Sequence, residues 1–268
     1  MSALIQVSDP HFGTERPEVV EALVALVASA RPQAVVLSGD ITQRARTAQF
    51  AAARRFVDRL GLPLLAIPGN HDIPLYNLPA RLFRPYAGYR RAFGDDLEPV
   101  FENAHWLVLG VKTTSRWRHK DGTVTPQQVA RIAERLRRAR PDQLRLVVTH
   151  QPMAVTRRKD ASNVLAGAGE AARAWSSAGC DLVLGGHIHL PFVEPLTEHH
   201  EGLSRPVWAV QAGTALSSRV RDGVDNSVNL IRRTDAAALA HCVVERWDYR
   251  ARSRRFERAS ATELRLGR

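Results

Sequence analysis

Lysine is nearly missing from this chain, and cysteine and long apolar runs are scarce. Only three of its 38 basic residues are lysines (Lys112, Lys120 and Lys159); the rest are arginine. The two cysteines, Cys180 and Cys242, give no CxxC pair and no disulfide framework. Each sits among apolar neighbours, which reads as a small core residue. The longest apolar stretch, Val19 to Ala30, is interrupted by Glu21, so nothing in the sequence reads as a membrane span. The opening MSALIQVSDPHFG lacks the basic stretch of a secretory leader and enters a strand at once, which predicts a cytoplasmic protein. Hydrophobic residues at 44%, charged residues at 24% and aromatics at 6% are ordinary globular values. They exclude a disordered chain, a coiled coil and a disulfide-rich miniprotein.

What the chain has in excess is positive charge, with 38 basic against 27 acidic residues and a net charge of +11. Such a balance can serve a nucleic acid or another polyanion. Here the arginines are spread along helical stretches such as Arg131 to Arg140, with short clusters at Arg157-Arg158-Lys159 and Arg254-Arg255. That distribution favours solvated faces, and nucleic acid stays a possible but not a favoured partner.

Buried-strand runs alternate with helical periodicity over the first two-thirds of the chain. Strands are predicted at Ala3–Val7, Ala34–Leu37, Leu64–Ile67, Trp106–Val111, Leu144–Thr149 and Asp181–Leu184. Helices are predicted over Pro17–Ala30, Ala48–Leu60, Pro126 to about Ala139 with Thr125 as N-cap, and Gly169–Ala178. The rhythm is that of right-handed βαβ units. It breaks between Ile73 and Asn103, a segment with four prolines and three tyrosines (Tyr76, Tyr86, Tyr89) that reads as a cap outside the sheet. From about Leu190 onward strands alone are expected, at Pro206–Gln211, Ser227–Arg233, Leu239–Trp247 and Arg252–Ala259, with turns at Arg221-Asp222-Gly223 and Thr234-Asp235. The whole predicts one αββα-type domain over 1–268, its second sheet made late in the chain, with a possible homodimer edge in the late strands.

Five of the first six strands end in polar, metal-competent residues: Asp9-Pro10-His11, Gly39-Asp40, Gly69-Asn70-His71-Asp72, Thr149-His150 and Gly185-Gly186-His187-Ile188-His189. Functional side chains of open α/β sheets collect beyond the carboxyl ends of the strands. A lone His or Asp at such a place is usually a cap or a satisfied loop residue; five on one rim are not. Two carboxylates, an amide and four imidazoles suit borderline ions such as Mn, Fe, Zn or Co. A structural zinc site would want cysteines and only four ligands, so seven candidates suggest two ions sharing a bridge.

The order DPH, GD, GNHD, H, GHIH resembles the calcineurin-like metallophosphoesterase family, and the match spans Asp9 to His189 with no ligand position missing. The SDPHFG and GNHDIP stretches resemble bacterial class III cyclic nucleotide phosphodiesterases and related glycerophosphodiesterases. The resemblance implies a four-layer αββα sandwich of two mixed β-sheets flanked by helices. It implies one metal held by Asp9, His11, Asp40 and His189, and a second held by Asp40, Asn70, His150 and His187. The ions would be Mn²⁺, Fe²⁺/Fe³⁺ or Zn²⁺. His71 is then no ligand but faces the substrate phosphoryl group with Asn70.

On that reading the activity is hydrolysis of a small phosphodiester, with a cyclic nucleotide such as cAMP favoured. Two ions about 3.5–4 Å apart generate a bridging hydroxide and clamp the phosphate. His71 gives a proton to the leaving oxygen, and Asp72 either orients that imidazole or serves as an N-cap. The first shell then carries a charge of about +1, which matches a diester monoanion. The nearest arginines in sequence are Arg16, Arg44 and Arg157-Arg158. His199-His200, His105, His119 and His241 lack motif context and read as surface or packing residues. The rival readings are a nuclease, a phospholipid, glycerophosphodiester or phosphomonoester hydrolase on the same residues, and a non-catalytic scaffold, which has no physical need for seven converging ligands.

Overall fold

A computed structural model describes residues 2–221, 223–233 and 241–267. Two six-stranded sheets stack face to face, with helices on both outer faces. The first sheet grows from β1 (Ala3–Val7), β2 (Ala34–Ser38) and β3 (Leu64–Ile67), all parallel and connected through α1 (Pro17–Ala30) and α2 (Thr47–Leu60). The second takes β4 (Val100–Glu102), β5 (Trp106–Gly110), β6 (Leu144–Val148), β7 (Leu182–Gly185), β8 (Phe192–Pro195) and β9 (Trp208–Gln211), in the order β4-β5-β6-β7-β9-β8. The segment after β3 holds the short α3 (Leu78–Phe83) and α4 (Ala87–Phe93), and the helices of the second sheet are α5 (Pro126–Arg137) and α6 (Ala168–Ser177).

The central strands are buried on both faces, so alternation shows only in which neighbour a side chain meets. In β1, Ile5 and Val7 pack toward α1 and α2 while Leu4 points between the sheets. In β5, Leu107 and Leu109 pack toward α5 and α6 while Trp106 and Val108 join the inter-sheet layer. Gln6 stands in that layer too, with its amide donating to the Gly185 carbonyl at 2.9 Å and its oxygen accepting from Asn229. Hydrogen bonds thus tie the sheets together below the rim where the motifs emerge. Thr125 caps α5 as expected: its hydroxyl accepts from Gln128 N, and the Gln128 side chain accepts in return from Thr125 N. Cys180 and Cys242 are buried and unbridged, one in the helix-facing layer and one between the sheets.

The late strands depart from the expectation. β10 (Ser227–Arg233), β11 (His241–Arg250) and β12 (Arg255–Arg265) make no second sheet of their own. β10 pairs antiparallel with β1, opposite β2, and the first sheet continues outward as β10, β11, β12. The free edge of β1 decides this, because a buried edge strand left unpaired strands a row of amides and carbonyls. The middle of the chain, not its end, supplies the second sheet. β12 starts at Arg255 and not at Arg252, and it runs on to Arg265. Leu239, the expected start of the preceding strand, lies outside the described residues, as do the Thr234-Asp235 turn and Asp222.

Candidate metal centre

Parallel β1, β2 and β3 end on the same rim as β6 and β7 of the facing sheet, so both sheets deliver ligands. Asp9 and His11 follow β1, Asp40 follows β2, and Asn70 to Asp72 form a single 3₁₀ turn after β3. His150 follows β6, and His187 and His189 follow β7. The loops stay zipped beyond the strands: Asp9 N donates to Gly39 O, His11 N to Asp40 O, and Gly186 N to His150 O. Among the described residues eight non-glycines have positive φ, and five are Asp9, His11, Asp40, His187 and His189, at 44° to 71°. Left-handed backbone is costly outside glycine, and its clustering marks a site whose surroundings over-determine it. Here it folds each loop back so that the side chain enters the crevice.

Three overlapping groups of side chains result, Asp9 with His11 and His189, His11 with Asp40 and His71, and Asp40 with His150 and His187, each with its donor atoms within 4.8 Å of one another. His11 Nε2 lies 3.1 Å from His189 Nε2, and His189 Nε2 lies 3.4 Å from the Asp9 carboxylate. Asp40 stands between the groups. Its Oδ2 is 3.8 Å from His11 Nε2, and its Oδ1 is 3.3 Å from His150 Nε2. His150 Nε2 also lies 3.2 Å from Asn70 Oδ1. His150 bonds the Ser38 carbonyl through Nδ1, and His189 bonds the Arg219 carbonyl in the same way. Both rings are thereby oriented with Nε2 toward the carboxylates. Asp9 accepts from Ser8 Oγ at 2.6 Å and His187 N at 2.9 Å.

The electrostatics follow from burial and from these neighbours. Burial opposes ionisation of Asp9, yet His189 beside it holds its carboxyl down at about 2. Burial likewise opposes Asp40, and His150 keeps it well below the usual carboxylate range. Desolvation lowers His11 to about 3 and His187 to about 4, so both stay neutral. His150 is buried too, but the Asp40 carboxylate raises it to about 9. Among the described residues the buried Nδ1 atoms of His11 and His187 have no hydrogen-bond partner. Neutral imidazoles beside ionised carboxylates fit divalent cations better than they fit a packed core.

Asp72 does not orient the His71 ring and is not an N-cap. Its carboxylate accepts from Ile41 N, Thr42 N, Gly69 N and Thr42 Oγ1, which clamps the β2 and β3 loops together. Burial, with the charge of Asp40 adding, lifts its pKa to about 7. His71 is held elsewhere, with Nδ1 2.9 Å from the Gln43 carbonyl and its main-chain N donating to Asp40 Oδ1. Gly69 sits so close to Asp40 that a Cβ there would overlap the Asp40 main-chain N and carboxylate. Gly69→Ala is therefore expected to lower the melting temperature by about 3–10 °C. An unchanged thermal melt would show that this turn can give way.

A cavity of about 420 Å³ opens over the cluster. It is lined by residues that the motifs do not contain: His119, Lys120, Asn163, Arg219 and Arg221. Arg219 Nη1 donates to Gln43 Oε1 at 2.9 Å and stands 3.4 Å from His71 Nε2. Arg221 pairs with Asp160 at 2.8 Å. The arginines of the site are thus these two. Arg16 instead pairs with Glu18, Arg44 lies over the Tyr76 ring, and Arg157 and Arg158 are not in the lining. His119 likewise belongs to the cavity and not to an unrelated surface. Of the cap tyrosines, Tyr89 is buried and bonds the Ala66 carbonyl, Tyr86 bonds the Thr114 carbonyl, and Tyr76 is exposed.

A family model described as calcineurin-like phosphoesterase matches residues 3–191. A glycerophosphodiester phosphodiesterase of Enterobacter lignolyticus, GpdQ, is 40% identical over 80 residues, 26% of this chain and 29% of the relative. A probable cyclic nucleotide phosphodiesterase of Synechococcus is 28% identical over 166 residues, 61% of this chain and 60% of the relative. The chain therefore spans less than two thirds of either relative it matches. In fold it is similar to a purple acid phosphatase from yellow lupin, with a TM-score of 0.72 at 11% identity over 98% of this chain and 53% of that one. It is also similar to a dimetal phosphatase from Danio rerio, with a TM-score of 0.64 at 13% identity over 99% of both chains.

Proposed function

The chain belongs to the calcineurin-like phosphoesterase family, and from that premise we propose that it is a two-metal phosphodiesterase acting on a small anionic phosphodiester. The observation that carries this reading is the position of Asp40, whose two oxygens face different imidazole groups at 3.8 and 3.3 Å. Asp9, His11, Asp40 and His189 would hold one ion, and Asp40, Asn70, His150 and His187 the other. Two divalent ions there would lower the pKa of a water and offset the charge of the phosphate.

The protein's own side chains do the rest. The Gln43 carbonyl accepts from Nδ1–H of His71 and leaves Nε2 on the cavity side, so that the ring, when it carries a proton on both nitrogens, can pass the Nε2 proton to the leaving oxygen. Gln43 Oε1 holds the Arg219 guanidinium beside that nitrogen, where it can bind a phosphoryl oxygen. Arg221 is largely offset by Asp160 and serves to anchor its loop, since it also donates to the Ile188 carbonyl between the two β7 histidines. A cyclic nucleotide such as cAMP is the favoured substrate, supported by the name of the Synechococcus relative, and a glycerophosphodiester is the next, supported by that of GpdQ.

Arg219 supports a second reading. Its charge, added to a first shell of about +1, would balance a monoester dianion as well as a diester monoanion. Bis-nitrophenyl phosphate is expected to be hydrolysed with higher kcat/KM than nitrophenyl phosphate at neutral pH with Mn²⁺. A clear reversal of that ratio would make the protein a phosphomonoesterase.

Metal uptake is expected to release protons. His150 without metal holds a proton at neutral pH, because its pKa is raised to about 9, and an ion on Nε2 must displace it. Titration calorimetry with Mn²⁺ in two buffers of different ionisation enthalpy should show release of about one proton or more per protein. Affinity should rise as pH rises toward about 9. A buffer-independent heat would remove His150 from the ligand set.

A further inference from the structure

On the cap side of the molecule lies a face that hydrolysis does not use. Five of the seven large hydrophobic side chains left exposed among the described residues collect there: Tyr76, Leu78, Leu82, Phe83 and Trp117. Tyr76 is 79% exposed, Phe83 80% and Trp117 72%. They form one unit with the loop that follows β5. Arg81 donates to the Arg118 carbonyl at 2.9 Å, the Arg116 guanidinium bonds the Leu82 carbonyl and lies over the Trp117 ring, and Tyr86 bonds the Thr114 carbonyl.

Beside this unit opens a groove of about 820 Å³, with Tyr76, Pro79 and Phe83 against Arg44, Arg84 and Arg91. No Asp or Glu among the described residues lines it. Contiguous apolar exposure of this kind marks an interaction surface. Aromatic and leucine tips set among unopposed arginines suit the boundary between acyl chains and anionic headgroups.

We propose that this face docks the protein on an anionic lipid bilayer. Tyr76, Leu78, Leu82, Phe83 and Trp117 enter the interface, and Arg44, Arg84 and Arg91 meet the lipid phosphates. A second copy of the chain suits the apolar tips but not the charge, because a two-fold contact sets a patch against itself and brings arginine against arginine. A single strand of nucleic acid would stack on Tyr76, Phe83 and Trp117 yet leave Leu78 and Leu82 in water. Arg44 adjoins Gln43, whose carbonyl holds His71, so docking here sets the metal rim beside the headgroups. The proposal does not depend on which ester is cleaved.

Sedimentation with vesicles tests it, using phosphatidylcholine alone and phosphatidylcholine mixed with phosphatidylglycerol. The protein should bind the mixed vesicles, and added salt should weaken the binding. Phe83→Ser with Trp117→Ser should reduce partitioning by about tenfold or more, and Arg84→Gln with Arg91→Gln by about fivefold per arginine. These positions lie on the surface, so each variant should keep the wild-type melting temperature. The proposal is overturned by no binding to the mixed vesicles, by binding of equal strength in folded variants, or by a dimer in sedimentation equilibrium that the Phe83 and Trp117 substitutions dissolve without vesicles. Displacement from the vesicles by a single-stranded oligonucleotide, with tighter binding to it, overturns it in favour of nucleic acid.

Discussion

Asp40→Ala is expected to lower kcat/KM by about 10³-fold or more, because loss of metal removes several kcal/mol of charge stabilisation from the transition state. The same substitution should lower metal content at both positions. Asp40 Oδ2 faces His11 and Oδ1 faces His150, so one carboxylate serves both imidazole groups. It also receives the His71 main-chain N–H, which means that the loop after β3 loses an anchor. Elemental analysis of the purified variant is the direct check. Two full equivalents of metal in Asp40→Ala would sink the shared-carboxylate assignment, whatever the activity.

His71→Ala should leave the metals in place and slow hydrolysis by about 10²–10⁴-fold. The ring neighbours His11 and Asp40 but is fixed by bonds of its own: Nδ1 bonds the Gln43 carbonyl, and Nε2 faces Arg219. The loss should shrink for esters with good leaving groups such as nitrophenolate, which leave without a proton. A loss that is equal across leaving groups would assign His71 to phosphoryl binding with Arg219 and not to proton transfer.

The candidate site is legible in the sequence to the degree that its residues sit within a few positions of a strand end. Asp9, Asp40, Asn70, His150 and His187 each follow a run of buried β-branched or leucine residues, and parallel strands put all such ends on one rim. What pairing across the molecule decides is not legible. β4 and β8 are short and half-exposed, with no alternation to read, and β12 shows mostly exposed residues. The partnership of β10 with β1 rests on an edge that only the folded sheet defines. Arg219 enters the site from a loop thirty positions beyond His189, where no motif points to it. His119 reaches the cavity only because the loop after β5 turns back over the rim. Asp72 misleads for a related reason: its neighbour in sequence is His71, but the 3₁₀ turn sends its carboxylate to the amides of the β2 loop.

The place of β1 in its sheet has a consequence during synthesis on the ribosome. Ala3 finds its antiparallel partner only at Arg232, and at about 5–20 residues per second the intervening chain takes roughly 10–50 s to appear. Until then β1 is zipped to β2 along one side and bare along the other, although Leu4 and Ile5 are fully buried in the finished protein. The nascent chain thus carries an apolar strand edge throughout that interval. Slower translation would lengthen that interval, and a chaperone that covers the edge would protect it.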